Sequence, residues 1–185
     1  MDHFALLAPF YDRIFSFLDP DKIRRLLALQ GGEIVLDIGG GTGRVSQTLV
    51  ETSKVVIVDQ SLAMLKRARG KGMAVCLAKA EALPFAANSV ERILVVDAFH
   101  HFGHQDSAAS EMLRVLKANG RLLIEEPDIS RLPVKLIALG ERVLLMRSRF
   151  YSLEDLSEMF TRTGGVVSSA EGDRTSFRVV ITKEG

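Results

Sequence analysis

The sequence has a single cysteine among its 185 residues, Cys76, which excludes an internal disulfide and fits a reducing compartment. Flanked by Val75 and Leu77, that thiol reads as a small hydrophobe in a strand rather than as a nucleophile. Charge of one sign is lacking too. Lys and Arg number 24 and Asp and Glu 23, so the net charge of +1 gives no strong pull toward nucleic acid. Long apolar runs are missing as well. The richest candidate, residues 131–150, is interrupted by Lys135, Arg142 and Arg149, which argues against a membrane span. Asp2 and His3 stand where the basic start of a secretory leader would be, so none is expected and a cytoplasmic location is. Histidine is sparse: His3 and His104 are isolated, and the adjacent His100 and His101 would point opposite ways on an extended chain. No metal site is expected from them. What remains is ordinary globular usage, 47% hydrophobic and 25% charged, sized for one domain over residues 1–185.

The chain is organised around Glu33 to Gln47. The apolar run Ile34-Val35-Leu36 reads as a buried strand ending at Asp37-Ile38. Gly39, Gly40, Gly41 and Gly43 follow, and a helix is expected to begin near Arg44. A strand turning into a helix through glycines leaves N–H groups aimed at a ligand and lets the backbone approach it closely. The next strand, Lys54 to Val58, ends in Asp59-Gln60. In a parallel sheet that acid lies beside the glycine loop, where it can accept hydrogen bonds from a ribose diol; alternatively it caps the helix beginning after Ser61. The glycine spacing also bears on the ligand. A dinucleotide fingerprint, G-x-G-x-x-G counted from Gly39, needs glycine at 44, where the chain has Arg44.

The other elements follow from periodicity and caps. Asp19-Pro20 opens a helix over residues 21–30, closed at Gly31-Gly32. Helices are expected at residues 61–71, 105–117 and from Ser152 to about Arg162. Strands are expected at 73–77, 92–96, 121–125, 166–170 and 177–182. Residues 131–150 carry Leu132, Leu136, Leu139, Val143, Met146 and Phe150 at alternating steps of four and three. That is the pattern of an amphipathic helix covering the sheet or roofing a pocket.

The spacing D-x-G-x-G-x-G, written by Asp37, Gly39, Gly41 and Gly43, resembles motif I of the Rossmann-like S-adenosylmethionine-dependent methyltransferases, and Val58-Asp59 resembles their ribose-binding acidic position. Ala80-Glu81-Ala82-Leu83-Pro84-Phe85 resembles their D-A-E-x-L-P-F segment, with Lys79 in place of the acid that contacts adenine. The stretch Asp97-Ala98-Phe99-His100-His101-Phe102 resembles the two-histidine segment after strand four. Ala8-Pro9-Phe10-Tyr11-Asp12 resembles an A-x-x-Y-D lid segment. The likeness is greatest to the ubiquinone/menaquinone-biosynthesis-type small-molecule methyltransferases. It implies a three-layer α/β sandwich with seven strands ordered 3-2-1-4-5-7-6 and strand seven antiparallel. It further implies a helical lid over residues 1–30 and a short helical cap over 128–151. S-adenosylmethionine would be held by Asp37, Gly39, Gly40, Gly41, Gly43, Asp59, Gln60, Ala80, Glu81 and Asp97. A small molecule would be the methyl acceptor at carbon or oxygen, with no nucleic-acid partner and a homodimer allowed for. His100, His101, Tyr11 and Glu126 are the candidates for accepting a proton. Two rivals stay open: a non-catalytic binder of S-adenosylmethionine or its product, suggested by Lys79, and a nicotinamide-dependent oxidoreductase, disfavoured by Arg44.

Overall fold

The structure, a computed structural model, describes residues 19–131, 134–135, 148–172 and 175–185. The strands are β1 (Ile34–Ile38), β2 (Lys54–Asp59), β3 (Ala74–Leu77), β4 (Val90–Val96), β5 (Leu116–Pro127), β6 (Gly165–Gly172) and β7 (Ser176–Lys183). Together they form a single sheet in the order β3-β2-β1-β4-β5-β7-β6, in which β7 runs antiparallel to both of its neighbours. The strand order expected from the resemblance is the one found.

Among the described residues four helices cover the sheet: α1 (Pro20–Leu27), α2 (Leu62–Gly70), α3 (Gln105–Val115) and α4 (Leu153–Arg162). Successive strand residues face opposite ways, and the core divides accordingly. Leu36, Ile93, Val95 and Ile124 pack with Met112 of α3 and Phe160 of α4 on one face. Val35, Ile57, Leu94 and Leu123 pack with Ile23 of α1 and Leu65 of α2 on the other. This is why the strands are near-continuous apolar runs: both faces are covered.

Local chemistry moved several boundaries. The helix expected after the glycine loop is only a 3-10 turn, Ser46–Thr48. Ser46 turns its hydroxyl inward to the Asp37 carboxylate (2.5 Å), and Thr48 and Thr52 donate to the carbonyls of Val45 and Leu49. Such side-chain bonds compete with a regular helix. Helix α1 stops earlier than its glycines suggested. Ala28 takes the left-handed closing position (φ 49°), and Arg92 donates to the carbonyls of Leu27 and Ala28. Helix α3 likewise stops at Val115, because Leu116 pairs with Val90; the chain then bulges, with Asn119 at φ 61°, before Arg121 pairs with Arg92. Residues 148–150 are irregular, so the amphipathic helix expected to reach Phe150 does not. The Arg149 N–H donates to the His100 carbonyl instead.

Packing dictates glycine at two loop positions whose φ is positive. A Cβ on Gly39 (φ 76°) would lie 2.4 Å from the Ala98 Cβ, and one on Gly43 (φ 76°) would lie 2.6 Å from the Ile57 Cδ1. Gly41 also has positive φ (55°), yet a Cβ there meets no protein atom within 4 Å. Gly39→Ala should therefore destabilise the protein by more than about 2 kcal/mol, through overpacking added to backbone strain. Gly41→Ala, carrying strain alone, should cost about 1 kcal/mol. Chemical denaturation of both variants checks this ordering; equal losses would contradict the packing argument.

Candidate functional site

At the carboxyl ends of β1, β2 and β4 lies a cleft of about 200 Å3. The glycine loop leaves β1 there as Ile38, Gly39 and Gly41. Asp59, Gln60, Ser61 and Met64 come from the end of β2 and the start of α2; Ala78, Ala80 and Glu81 follow β3; Asp97, Ala98, His101 and Phe102 follow β4. Gathering loops at the carboxyl edge of a parallel sheet is what makes that edge a binding site.

The Asp59 carboxylate binds the loop to the helix. One oxygen accepts from the Gly41 N–H (3.0 Å) and the other from the Ser61 N–H (2.8 Å). Ser61, not Asp59, caps α2, its hydroxyl oxygen accepting from Met64 N–H. Carboxylate oxygens each have two lone pairs, so these contacts orient Asp59 without exhausting it. Glu81 accepts from the His104 N–H (3.0 Å), tying the segment after β3 to the one after β4. Asp97 sits in the left-handed region (φ 53°), a strained conformation for a residue with a Cβ and one that concentrates at functional sites.

Asp37, Gly40 and Gly43 do not line the cleft. Asp37 is buried behind the loop, where a Cβ on Gly40 would lie 2.4 Å from its carboxylate. Burial pushes its carboxyl up to about 6. The Ser46 hydrogen bond opposes this, the nearby Asp59 charge adds to it, and Arg44 favours the ion. These three residues shape the loop from behind.

The two histidines lie in a 3-10 turn, Phe99–His101, so they do not point opposite ways as an extended chain would require. Their rings are 3.9 Å apart. His101 borders the cleft; His100 is buried behind it, its Nδ1 2.6 Å from a Glu126 carboxylate oxygen and its ring stacked on Phe150 at 4.4 Å. Burial lowers the His101 pKa to about 3, with His100 pushing the same way, so the cleft-side imidazole is neutral at physiological pH. Tyr11 and most of the lid expected over residues 1–30 lie outside the described residues, as do residues 132–133 and 136–147 of the expected cap.

Sequence reasoning missed Met64 and Phe102 as cleft walls and read Ser61 only as the start of a helix. The available signal was position, since each lies within a few residues of an acid or histidine at a strand end. Lys79 is exposed and does not line the cleft. Among the described residues no cluster of His, Cys, Asp and Glu could hold a metal, and no helix is long and apolar enough to cross a membrane.

A family model described as a methyltransferase domain matches residues 36–124. The match is to a methyltransferase domain and covers just under half of the chain. A ubiquinone/menaquinone biosynthesis C-methyltransferase from Pseudomonas aeruginosa is 36% identical across 55% of this chain and 44% of its own length. The chain thus spans under half the length of that curated relative. Among solved structures, a methyltransferase from Thermotoga maritima, described as a possible histamine N-methyltransferase, superposes with a TM-score of 0.81 at 22% identity, covering 98% of both chains. One from Haloferax volcanii, solved with a methyltransferase activator, gives 0.80 at 16% identity over 100% of this chain and 99% of its own. At these identities the structures speak for the fold.

Family and fold imply S-adenosylmethionine as the cofactor of this methyltransferase domain, and the donor set fits it. Three carboxylates, Asp59, Glu81 and Asp97, line the cleft, and among the described residues no lysine or arginine does. That balance favours a cationic sulfonium bearing a ribose and would repel a pyrophosphate.

The buried Asp37 makes the domain's stability depend on pH. Its folded pKa, about 6, exceeds the unfolded reference of 3.8. Its contribution is therefore complete below about pH 4 and is lost as pH rises through 6. Asp37→Asn cannot ionise, so it should gain on the unsubstituted protein by about 2–3 kcal/mol between pH 4 and pH 8. His101, whose lowered pKa costs stability as pH falls, is common to both proteins and cancels. Denaturation of the cofactor-free proteins at both pH values tests this; a constant difference would contradict it.

Proposed function

We propose that the chain transfers a methyl group from S-adenosylmethionine, held in the acid-lined cleft, to a small-molecule acceptor at carbon or oxygen. The observation that carries this reading is the charge of the cleft, three carboxylates and, among the described residues, no lysine or arginine, beside a glycine loop that ends in a 3-10 turn. A pyrophosphate-binding oxidoreductase needs a helix N-terminus there, which disfavours the nicotinamide alternative.

When bound, S-adenosylmethionine supplies an activated methyl group on a sulfonium that leaves as a neutral thioether. The residues of the chain supply position. Gly39 and Gly41 allow close approach of the loop, Asp59 offers a charged acceptor to a ribose diol, and Glu81 stands at the adenine side in place of the family acid replaced by Lys79. Asp97 completes the acidic wall. His101, neutral and facing the cleft but too weakly basic to ionise a phenol or carbon acid beforehand, takes the proton that methyl transfer itself makes acidic; His100, Tyr11 and Glu126 are the other candidates from the sequence. Holding the reactants in line can account for much of the rate. The apolar wall of Ala98 and Phe102 suits an aromatic acceptor. The likeness to the Pseudomonas enzyme points to a hydroquinone-type ring carbon. A single cytoplasmic domain is part of the same reading.

Incubation with S-adenosylmethionine carrying a 13C methyl group and a naphthohydroquinone should yield a labelled methylated product by mass spectrometry, together with S-adenosylhomocysteine. Tight binding with no product from carbon, phenol or amine acceptors would favour a non-catalytic binder. Asp59→Ala should weaken S-adenosylmethionine binding by about 1–3 kcal/mol through loss of a charged acceptor. Calorimetry measures this alongside the melting temperature, because Asp59 also holds the Gly41 and Ser61 N–H groups. Unchanged affinity would remove Asp59 from the site.

A further inference from the structure

Behind the cleft-side imidazole lies an arrangement that cofactor binding does not use. Glu126, at the carboxyl end of β5, is 3% exposed, yet its carboxylate faces a full set of donors. One oxygen accepts from the Ala98 N–H (2.9 Å) and the Phe99 N–H (2.7 Å). The other accepts from the His100 N–H (3.3 Å) and lies 2.6 Å from His100 Nδ1. Three successive main-chain groups and one imidazole thus converge on one acid. A carboxylate accepts only, so the His100 nitrogen facing it carries the hydrogen. Hydrogen bonds to a charged acceptor in a buried setting are the strong kind. This carboxylate therefore fixes the turn from which His101 enters the cleft.

The second element is Ser148. Its Oγ lies 3.1 Å from His101 Nδ1, and the residues after it are fastened to the same turn. Arg149 N–H donates to the His100 carbonyl (2.8 Å), Gln105 Nε2 donates to the carbonyls of Phe99 (3.0 Å) and Arg149 (2.9 Å), and Phe150 stacks on His100. His100 is thus held between Phe150 and His101 with its Nδ1 anchored. The His101 ring has an engaged nitrogen of its own on the side of Ser148. A hydroxyl both donates and accepts, so this contact holds the His101 ring and admits either tautomer; the one that leaves the lone pair on Nε2 is the one protonated at Nδ1.

We propose that Glu126 and Ser148 are the positioning residues of this cleft. Glu126 fixes the turn through His100, and Ser148 accepts from a protonated Nδ1 of His101, making Nε2 the nitrogen that receives the acceptor's proton. In that step the acceptor's O–H or C–H electron pair forms the bond to the methyl carbon. The sulfur–methyl bond breaks to leave a neutral thioether, and the proton goes to Nε2. The purpose assigned to His101 rests on the methyl-transfer reading; the tautomer and its cause do not.

The test is 15N nuclear magnetic resonance of histidine side chains in the full chain, with the His101 signals identified by their loss in His101→Gln. The unsubstituted protein should show His101 protonated at Nδ1 in a single tautomer. Ser148→Ala should release it to a mixture and lower kcat by at least about tenfold, with KM and S-adenosylmethionine affinity unchanged, because general-base effects of this kind appear in the chemical step. Ser148→Thr, which keeps the hydroxyl, should restore both. Glu126→Gln should broaden or shift the signals of both histidines; should that variant not fold, Ser148→Ala decides alone. A His101 protonated at Nε2 in the unsubstituted protein, or a spectrum unmoved by Ser148→Ala, would overturn the proposal. Absence of S-adenosylmethionine binding, with the tautomer as expected, would instead count against the methyl-transfer reading and leave the positioning intact.

Discussion

The constraint on which the rest of the site depends is the close seating of the glycine loop between two neighbouring strand ends. Gly39 lies where any side chain would strike Ala98 after β4, and Gly43 lies where one would strike Ile57 in β2. With both ends pressed against the sheet, the middle of the loop has little freedom, and the Gly41 N–H falls within reach of Asp59. That contact joins three elements, β1, β2 and α2, around one carboxylate, since Asp59 also accepts from Ser61 at the start of α2. Gly40 abuts Asp37 from the other side, so a buried acid backs the loop. A charge buried this deeply costs stability, and the raised Asp37 pKa is the sign of it.

Two carboxylates of similar depth thus have opposite roles. Asp37 faces one hydroxyl and is driven toward its neutral form by burial. Glu126 faces four donors and organises the turn of His100 and His101. Between them the cleft is acidic along its cofactor wall and carries a neutral imidazole at its inner end. Such an arrangement suits a ligand with a positive centre.

Much of this was legible in the residues themselves. The strand–glycine–strand spacing pointed to the cleft, Arg44 argued against a dinucleotide, and the apolar runs marked buried strands. Strand order came from the family likeness and not from periodicity, because pairing between distant strands leaves no local trace. The sequence could not show how the chain leaves its elements. Ser46 trades a helix for a bond to Asp37, Leu116 leaves α3 to pair with Val90, and Arg149 is drawn to the His100 carbonyl. Each is a long-range or side-chain contact that overrides local pattern. For the same reason His100 and His101 could be named as candidates while their division of labour could not: it depends on Glu126 and Ser148, 26 and 47 residues away.

The central claim is that this cleft selects a cationic, ribose-bearing methyl donor by its acids. Isothermal titration of the protein with S-adenosylmethionine and, separately, with NAD at two salt concentrations addresses it directly. The account predicts saturable binding of S-adenosylmethionine that weakens as salt rises, since screening diminishes the attraction of Asp59, Glu81 and Asp97 for the sulfonium and ammonium groups, and no binding of NAD. Comparable or tighter binding of NAD would contradict it.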